Sequence, residues 1–204
     1  MSPEEEYATA AAFLGPLASA ALPSIRLVPE RLRHVKHAFA PQWVESLWLP
    51  VDDERPPEQG VALADGAGFT RVTREDDRVR EQQARPRTQV YESIHVHSDG
   101  WPRLVTLHLA GMLRREVVCT LYQSDAAART LRPHLDNWFG VIVQMRGTKR
   151  WHIWQKQPMP DEIIMHAGDV LLLPKDMKHA VDTPSEPGHS LHMVFAVLDD
   201  PRSA

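Results

Sequence analysis

The pattern of apolar and polar residues changes near residue 88. Before that point, helix-like character is found in the alanine-rich run Tyr7–Leu22, in Pro29–Phe39 and in Pro41–Leu49, which places a proline at a helix start. The segment Val51–Gly60 carries two aspartates and two prolines, and we predict that it forms an exposed loop. The helical signals therefore belong to the N-terminal portion of the chain.

From Thr88 onward, short runs rich in β-branched and apolar residues alternate with turn residues. The candidate strands are Gln89–His97, Leu104–Leu109, Val117–Gln123, Gly140–Met145, Lys149–Gln155, Glu162–His166, Val170–Leu173, His179–Asp182 and His189–Leu198. Closely spaced runs of this length are typical of antiparallel sandwiches and barrels, and not of parallel sheets with crossover helices. The pattern predicts a mainly β fold, a double-stranded β-helix (jelly-roll, cupin-like) core with N-terminal helices.

The size and composition of the chain are those of an ordinary globular domain. With 204 residues, 43% hydrophobic and 25% charged, the chain is long enough to enclose one substantial core. We therefore expect residues 1–204 to form a single domain, with a helical portion at about 1–87 and the jelly roll at about 88–200. The formal charge of −4 gives no reason to expect a nucleic-acid or anionic-membrane partner.

The cysteine content and the N-terminal apolar run bear on cellular location. Cys119 is the only cysteine, which excludes an intrachain disulfide and a cysteine-based zinc site. The run Tyr7–Leu22 follows three glutamates, where a signal peptide would carry basic residues, and it is too short to span a bilayer. We expect a packing helix, no membrane partner and a cytoplasmic location.

The first candidate chemistry is the pair His134 and Asp136. On a strand or strand end, residues two apart project to the same face, so an imidazole nitrogen and a carboxylate oxygen can reach one ion. A third ligand must come from elsewhere. His179 follows a buried apolar strand and a proline, and 43 residues separate it from Asp136, which is room for the strands that bring it back.

Two histidines and one carboxylate are the facial ligand set of non-haem Fe(II) oxygenases. Such a set occupies one face of an octahedron and leaves three positions open for a bidentate 2-oxo acid and O2. Lys149 follows Arg146-Gly147-Thr148, which we interpret as a hairpin turn that directs the lysine into the barrel. A buried ammonium needs an anionic partner, and the distal carboxylate of 2-oxoglutarate would supply one.

These segments resemble the Jumonji-C and cupin-type 2-oxoglutarate oxygenases, including asparaginyl hydroxylases and bacterial ribosomal-protein hydroxylases. The resemblance covers about residues 118–198 and is carried by His134-Leu-Asp136, Gly147-Thr-Lys149-Arg150-Trp151 and Gly168-Asp169…Pro174…His179. It implies that His134, Asp136 and His179 bind Fe(II) and that Lys149 binds the C5 carboxylate of 2-oxoglutarate. It also implies an enzyme that uses O2 to hydroxylate a C–H bond and releases succinate and CO2.

The resemblance leaves several pocket residues open. A hydroxyl that assists Lys149 could come from Tyr122, which we favour, or from Thr120 or Thr130; His192 is a further candidate beside the co-substrate. Arg132, Asn137 and Trp138 flank the metal pair and are candidate substrate contacts. The substrate itself could be a small molecule, a carrier-bound amino acid or a peptide, and the oligomeric state stays open.

Three alternatives compete with this interpretation, one for the position of the site and two for the function. His95 and His97 are also two apart on a predicted strand, but no third ligand accompanies them, so we expect packing or pocket lining. The function could instead be that of a metal cupin without 2-oxoglutarate, such as an isomerase or another dioxygenase. A non-catalytic cupin that binds a small ligand is the remaining alternative.

Overall fold

The computed structural model describes residues 1–52, 61–66, 68–97, 99–128 and 130–199, and the predicted loop at Val51–Gly60 lies outside these ranges from residue 53 onward. The helices within them are Pro3–Leu27 (α1), Pro41–Ser46 (α2), Glu75–Ala84 (α3), Ile94–His97 (α4) and Trp101–Leu113 (α5). The strands are Arg33–Val35 (β1), Val61–Asp65 (β2), Gly68–Val72 (β3), Thr88–Tyr91 (β4), Val117–Asp125 (β5), Phe139–Trp154 (β6), Asp161–His166 (β7), Val170–Leu173 (β8), Lys178–Asp182 (β9) and His189–Val197 (β10).

The strands form two antiparallel layers that share β6. The major sheet has the order β1-β8-β6-β10-β5-β4-β2-β3, while β7 and β9 pair with the C-terminal half of β6 to form the minor sheet. One face of the major sheet packs against the helices, and its other face packs against the minor sheet. The prediction of a mainly β, jelly-roll fold with N-terminal helices is confirmed.

Strand β6 corrects the predicted hairpin at Arg146-Gly147-Thr148. Residues 139–154 form one continuous strand, and Gly147 has a φ of +64° and lies so close to β10 that an added Cβ would be 2.1 Å from the His189 carbonyl oxygen. The pairing of β6 with β10 shifts register between Leu191 and His192. Ile142, before the irregularity, and Trp151, after it, pack in the same cluster between the two sheets, although one number is even and the other odd. The irregularity therefore reverses which alternate residues of β6 face this cluster.

The helical layer is centred on α1, which is longer than the predicted Tyr7–Leu22. It begins with a capping box between Ser2 and Glu5, and it is long and apolar enough to cross a membrane by length and composition. Its inner face nevertheless belongs to the core: Phe13 is fully buried and its ring centroid lies 4.6 Å from that of Phe39 and 4.7 Å from that of Trp101. In this structure α1 is a packing helix.

Replacing Phe13 by alanine tests this role of α1. We expect the free energy of unfolding to fall by about 3–5 kcal/mol, since a fully buried aromatic ring leaves a cavity among its neighbours. Tyr7, on the same helix, is 62% exposed, and Tyr7→Ala should change stability by less than about 0.5 kcal/mol. Chemical denaturation of the two variants measures the difference. Equal effects would show that α1 does not pack through Phe13.

Several predicted elements are wrong. The stretch Leu104–Leu109 is part of α5, whose Trp101, Val105 and Leu109 are buried at helical spacing. The predicted strand Gln89–His97 ends at Tyr91 and is followed by α4. The predicted helix Pro29–Phe39 instead contains β1, where pairing with β8 overrides local propensity.

The N-terminal portion also contains the β2–β3 hairpin, which extends the major sheet beyond β4. Its sequence carries an Asp65-Gly66 dipeptide between two apolar runs, a known hairpin signal that the sequence interpretation missed. Strand β4 pairs with β2 and with β5, so the two portions of the chain share one sheet. The expectation of a single domain stays a proposal, and its N-terminal portion is not purely helical.

Candidate metal centre

His134 and His179 are brought together by their backbones. His134 lies in the segment before β6 and His179 lies on β9, and each residue's N–H donates to the other's carbonyl oxygen at 3.0 Å. The backbone N–H of Asp176 donates to the carbonyl oxygen of Asp136 at 2.8 Å. This bond holds Asp136 against the turn that precedes β9. The 43-residue interval from Asp136 to His179 therefore closes onto one site.

The two imidazoles are oriented by backbone carbonyls. Nδ1–H of His134 donates to the carbonyl oxygen of Arg132, and Nδ1–H of His179 donates to that of Met177, both at 2.9 Å. Each ring therefore turns its Nε2 toward Asp136, at 3.9 Å from Oδ1 for His134 and 3.5 Å from Oδ2 for His179. One ligand atom from each of the three residues lies within 4.8 Å of the others.

The electrostatics of this cluster suit a cation. Burial raises the pKa of the Asp136 carboxyl, and the two neighbouring histidines oppose that shift. Burial lowers the pKa of the His179 imidazole, while its hydrogen bond to the Met177 carbonyl opposes that shift. A neutral imidazole with a free Nε2 lone pair is a metal ligand, and a bound cation would stabilise the carboxylate that burial penalises.

A cavity of about 390 Å³ opens beside the three residues. Its lining residues come from β2, β3, β4, β5, the C-terminal half of β6, β8, β9, β10 and the adjoining segments, and they include Lys149. The Lys149 side chain is fully buried. Burial lowers its pKa to about 8, while the nearby Asp182 opposes the shift. Lys149 thus points into the barrel as the sequence predicted, although a continuous strand and not a hairpin places it there.

Two residues that the sequence interpretation missed contact this lysine. Nζ of Lys149 donates to Oγ of Ser124 at 2.7 Å and to Oγ1 of Thr183 at 3.0 Å. Ser124 lies two residues beyond Tyr122 on β5, so the period-2 rule would have placed it on the same face. Thr183 directly follows β9, and no pattern in the sequence indicates its contact.

Tyr122, Thr120 and His192 all line the cavity. Tyr122 and His192 are cross-strand neighbours on β5 and β10, and their rings stack with centroids 5.0 Å apart. Burial raises the pKa of the Tyr122 phenol. Burial, together with the charge of Lys149, holds the pKa of His192 well below its usual range, so both rings are neutral. Thr130 also lines the cavity, but its hydroxyl donates to the Val181 carbonyl oxygen at 2.7 Å.

The three flanking residues have different positions. Trp138 lines the cavity, whereas Arg132 and Asn137 are not among its lining residues. The carbonyl of Arg132 orients His134, a backbone role that side-chain reasoning did not foresee. Contacts of Arg132, Asn137 and Trp138 with a substrate remain predictions.

The competing pair His95 and His97 lies on α4 and not on a strand. Nδ1 of His95 accepts the backbone N–H of Cys119 at 3.2 Å, and neither histidine lines the cavity. Within the described ranges, the cluster of His134, Asp136 and His179 is the one group of three or more such side chains that could hold a metal ion.

Three of the residues that line the cavity carry a buried polar atom without a hydrogen-bond partner. Thr88, Trp151 and His192 are cavity-lining residues, and within the described part of the chain no partner is found for Thr88 Oγ1, Trp151 Nε1 or His192 Nδ1. Buried polar groups are normally hydrogen-bonded. The wall of the cavity therefore contains hydrogen-bonding groups that the described residues do not satisfy.

Comparison with known protein families matches residues 89–201 to the family model described as the JmjC domain. Among curated proteins, the chain is 27% identical over 96 residues to ribosomal oxygenase 2 of Rattus norvegicus, covering 39% of this chain and 21% of that protein. It is 26% identical over 102 residues to the Drosophila melanogaster bifunctional lysine-specific demethylase and histidyl-hydroxylase NO66, covering 40% and 16%. The aligned part is thus a small fraction of those relatives.

Solved structures show the same architecture. The ribosomal oxygenase YcfD of Escherichia coli superposes with a TM-score of 0.60 at 14% identity, over 89% of this chain and 52% of that one. A structure of YcfD in complex with cobalt and 2-oxoglutarate superposes with a TM-score of 0.53 at 15% identity, over 88% and 52%. At this level of identity the likeness establishes the fold.

Proposed function

The chain belongs to the JmjC domain family, and from that premise we propose that it is an Fe(II)- and 2-oxoglutarate-dependent oxygenase that hydroxylates a C–H bond. The observation that carries the proposal is the convergence of His134, Asp136 and His179, with ligand atoms within 4.8 Å of one another, on a cavity that also contains the buried Lys149. Three potential metal ligands and a buried ammonium on the same cavity suit a metal-chelating dicarboxylate.

The residues of the site fit both Fe(II) and 2-oxoglutarate. Two neutral imidazoles and one carboxylate are the donor set of non-haem Fe(II) oxygenases, and the carbonyl partners of both Nδ1 atoms fix the tautomer that presents Nε2. For 2-oxoglutarate, the residues that line the cavity include Lys149 and also Trp151, whose buried indole N–H has no hydrogen-bond partner. We propose His134, Asp136 and His179 as the metal ligands and Lys149 as the partner of the distal carboxylate.

When bound, Fe(II) and 2-oxoglutarate supply the oxidising chemistry, with O2 consumed and succinate and CO2 released. The protein contributes orientation and a dry environment. The stacked Tyr122 and His192 rings form an uncharged wall beside Lys149, and Trp151 packs against both His179 and His192, with centroid distances of 5.7 and 5.8 Å. Thr120 lies on the β5 face that lines the same cavity. We propose Tyr122, Thr120 and His192 as co-substrate contacts.

The substrate is proposed at the level of its class. The matched relatives include proteins named ribosomal oxygenase 2, which favours a peptidyl substrate over a free or carrier-bound small molecule. Trp138 lines the cavity and is the strongest of the predicted substrate contacts. Lys149 is the one lysine or arginine among the described residues that line the cavity, and the formal charge of the chain is −4, so we propose no nucleic-acid partner. We also propose a cytoplasmic location.

The direct test is turnover of 2-oxoglutarate. Purified protein with Fe(II), ascorbate and O2 should form succinate, with one O2 consumed for each succinate released. An isomerase or another metal cupin would consume no 2-oxoglutarate, and a ligand-binding cupin would in addition retain no stoichiometric metal. Either result would replace the proposed function by one of those alternatives.

The affinity for 2-oxoglutarate should depend on pH through Lys149. Its pKa of about 8 in the free protein should rise when a carboxylate binds, since an opposite charge favours the ammonium. Binding is therefore strongest below pH 8, and the affinity should fall above it by up to about tenfold per pH unit. Isothermal titration with 2-oxoglutarate between pH 6.5 and about 9.5 measures this. An affinity that is flat over that range would exclude Lys149 as the titrating partner.

A further inference from the structure

The ammonium of Lys149 is hydrogen-bonded to two buried hydroxyls, those of Ser124 and Thr183. Ser124 and Thr183 are 3% and 7% exposed, both accept a hydrogen bond from Nζ, and neither belongs to the cavity lining that includes Lys149 itself. The two hydroxyl oxygens are also hydrogen-bonded to each other, at 2.7 Å. We call these three residues the lysine cradle.

The hydrogen-bond inventory of the cradle leaves one donor for a ligand. An ammonium has three N–H donors and no acceptor, and two of the three are used by Ser124 and Thr183. The third N–H therefore has no partner among the described residues, and Lys149 is one of the residues that line the cavity. The hydroxyls orient the ammonium and leave its charge in place. A carboxylate at the same position would cancel that charge.

The surroundings of the cradle supply no other charge in contact with Nζ. Asp182, next to Thr183, acts on Lys149 through space, while its carboxylate contacts Arg150 and His152 on the outer face of the minor sheet. His192, on β10, is buried and neutral beside Lys149. Tyr122, on β5, is a neutral phenol. The ammonium therefore lacks a contacting anion among the residues that the structure places around it.

We propose that Ser124 and Thr183 are positioning residues that hold Lys149 as an uncompensated cation, so that binding of the distal carboxylate of the co-substrate completes the charge pair. This inference rests on the proposed function. It makes the cradle the element that favours a dianionic 2-oxo acid over a monoanionic one such as pyruvate, because an uncharged distal group would leave the buried ammonium unpaired.

The test is calorimetric binding of 2-oxoglutarate to the Fe(II)-loaded protein under anaerobic conditions. Thr183→Val keeps the side-chain shape and removes the hydroxyl, and we expect the dissociation constant to rise roughly 10-fold. Thr183→Ser keeps a hydroxyl and should stay within about 2-fold of the wild type. Ser124→Asp would place a carboxylate beside the ammonium and should weaken binding by more than about 30-fold although Lys149 is present.

The pH dependence separates positioning from a general structural effect. Removing a hydroxyl acceptor should move the pH midpoint of binding below the wild-type value in Thr183→Val, and an added carboxylate should move it above in Ser124→Asp. Circular dichroism and Fe(II) affinity, both expected to be unchanged, check that the variants fold. Wild-type protein that fails to bind 2-oxoglutarate would overturn the proposed function. Wild-type binding with unchanged affinity and midpoint in the variants would overturn the cradle alone.

Discussion

His179→Ala is expected to lower the affinity of the protein for Fe(II) by on the order of 100-fold or more, because loss of even an outer-shell partner costs a metal site about 10- to 100-fold. His179 is 3% exposed, its Nε2 lies 3.5 Å from Oδ2 of Asp136, and its backbone pairs with His134. Removing the ring takes away one of the three proposed ligands and leaves the backbone bridge in place. Equilibrium dialysis with Fe(II) under anaerobic conditions measures the change.

His95→Ala is the matched control for this experiment. His95 is a partly buried histidine with a backbone partner, the N–H of Cys119, but it lies on α4 and outside the cavity lining. We expect its replacement to leave Fe(II) affinity unchanged. If His95→Ala abolished metal binding and His179→Ala did not, the metal centre would have been assigned to the wrong histidines.

Lys149→Met is expected to weaken binding of 2-oxoglutarate by at least about 30-fold, since removing one partner of a buried, hydrogen-bonded charge pair costs about 2–5 kcal/mol. Methionine fills a similar volume and adds no charge, so the cavity wall is retained. Because the free protein no longer buries an ammonium, stability should not fall, which distinguishes lost recognition from unfolding. Calorimetry and thermal unfolding of the same preparation give both quantities.

The control for this variant is a lysine away from the cavity. Lys175 is 41% exposed at the side chain and pairs with Asp199 on the surface, so Lys175→Met should leave 2-oxoglutarate affinity within about 2-fold. Fe(II) affinity should be unchanged in both variants, because Lys149 is not a metal ligand. Lys149→Met protein with wild-type affinity for 2-oxoglutarate would show that the distal carboxylate binds elsewhere.

The spacing of residues was sufficient to nominate the metal centre, and the structure brings the nominated residues together. His134 and Asp136 are two apart, and Gly168-Asp169, Pro174 and His179 follow in an order that resembles a known family. The geometry is then set by backbone pairing between His134 and His179. Period-2 alternation also explains why Tyr122 and Thr120 share a face of β5.

What could not be predicted depends on contacts between distant parts of the chain. The contact of Thr183 with Lys149 requires knowledge of where β9 ends relative to β6. The inward direction of Lys149 depends on the irregularity near Gly147, where β10 approaches closely, and the sequence suggested a hairpin turn there. The stretch Leu104–Leu109 was misread because its apolar spacing fits a short strand as well as a helix.

In the proposed function, three side chains hold one Fe(II), 2-oxoglutarate chelates it, and Lys149 binds the distal carboxylate of 2-oxoglutarate. The most direct measurement is an anaerobic titration of the protein with Fe(II) and then with 2-oxoglutarate, followed by visible absorption. We expect about one Fe(II) per chain and a weak charge-transfer band near about 500 nm that appears only when both are present. Saturating Fe(II) binding with no band on addition of 2-oxoglutarate would show that 2-oxoglutarate does not bind to the metal of this site.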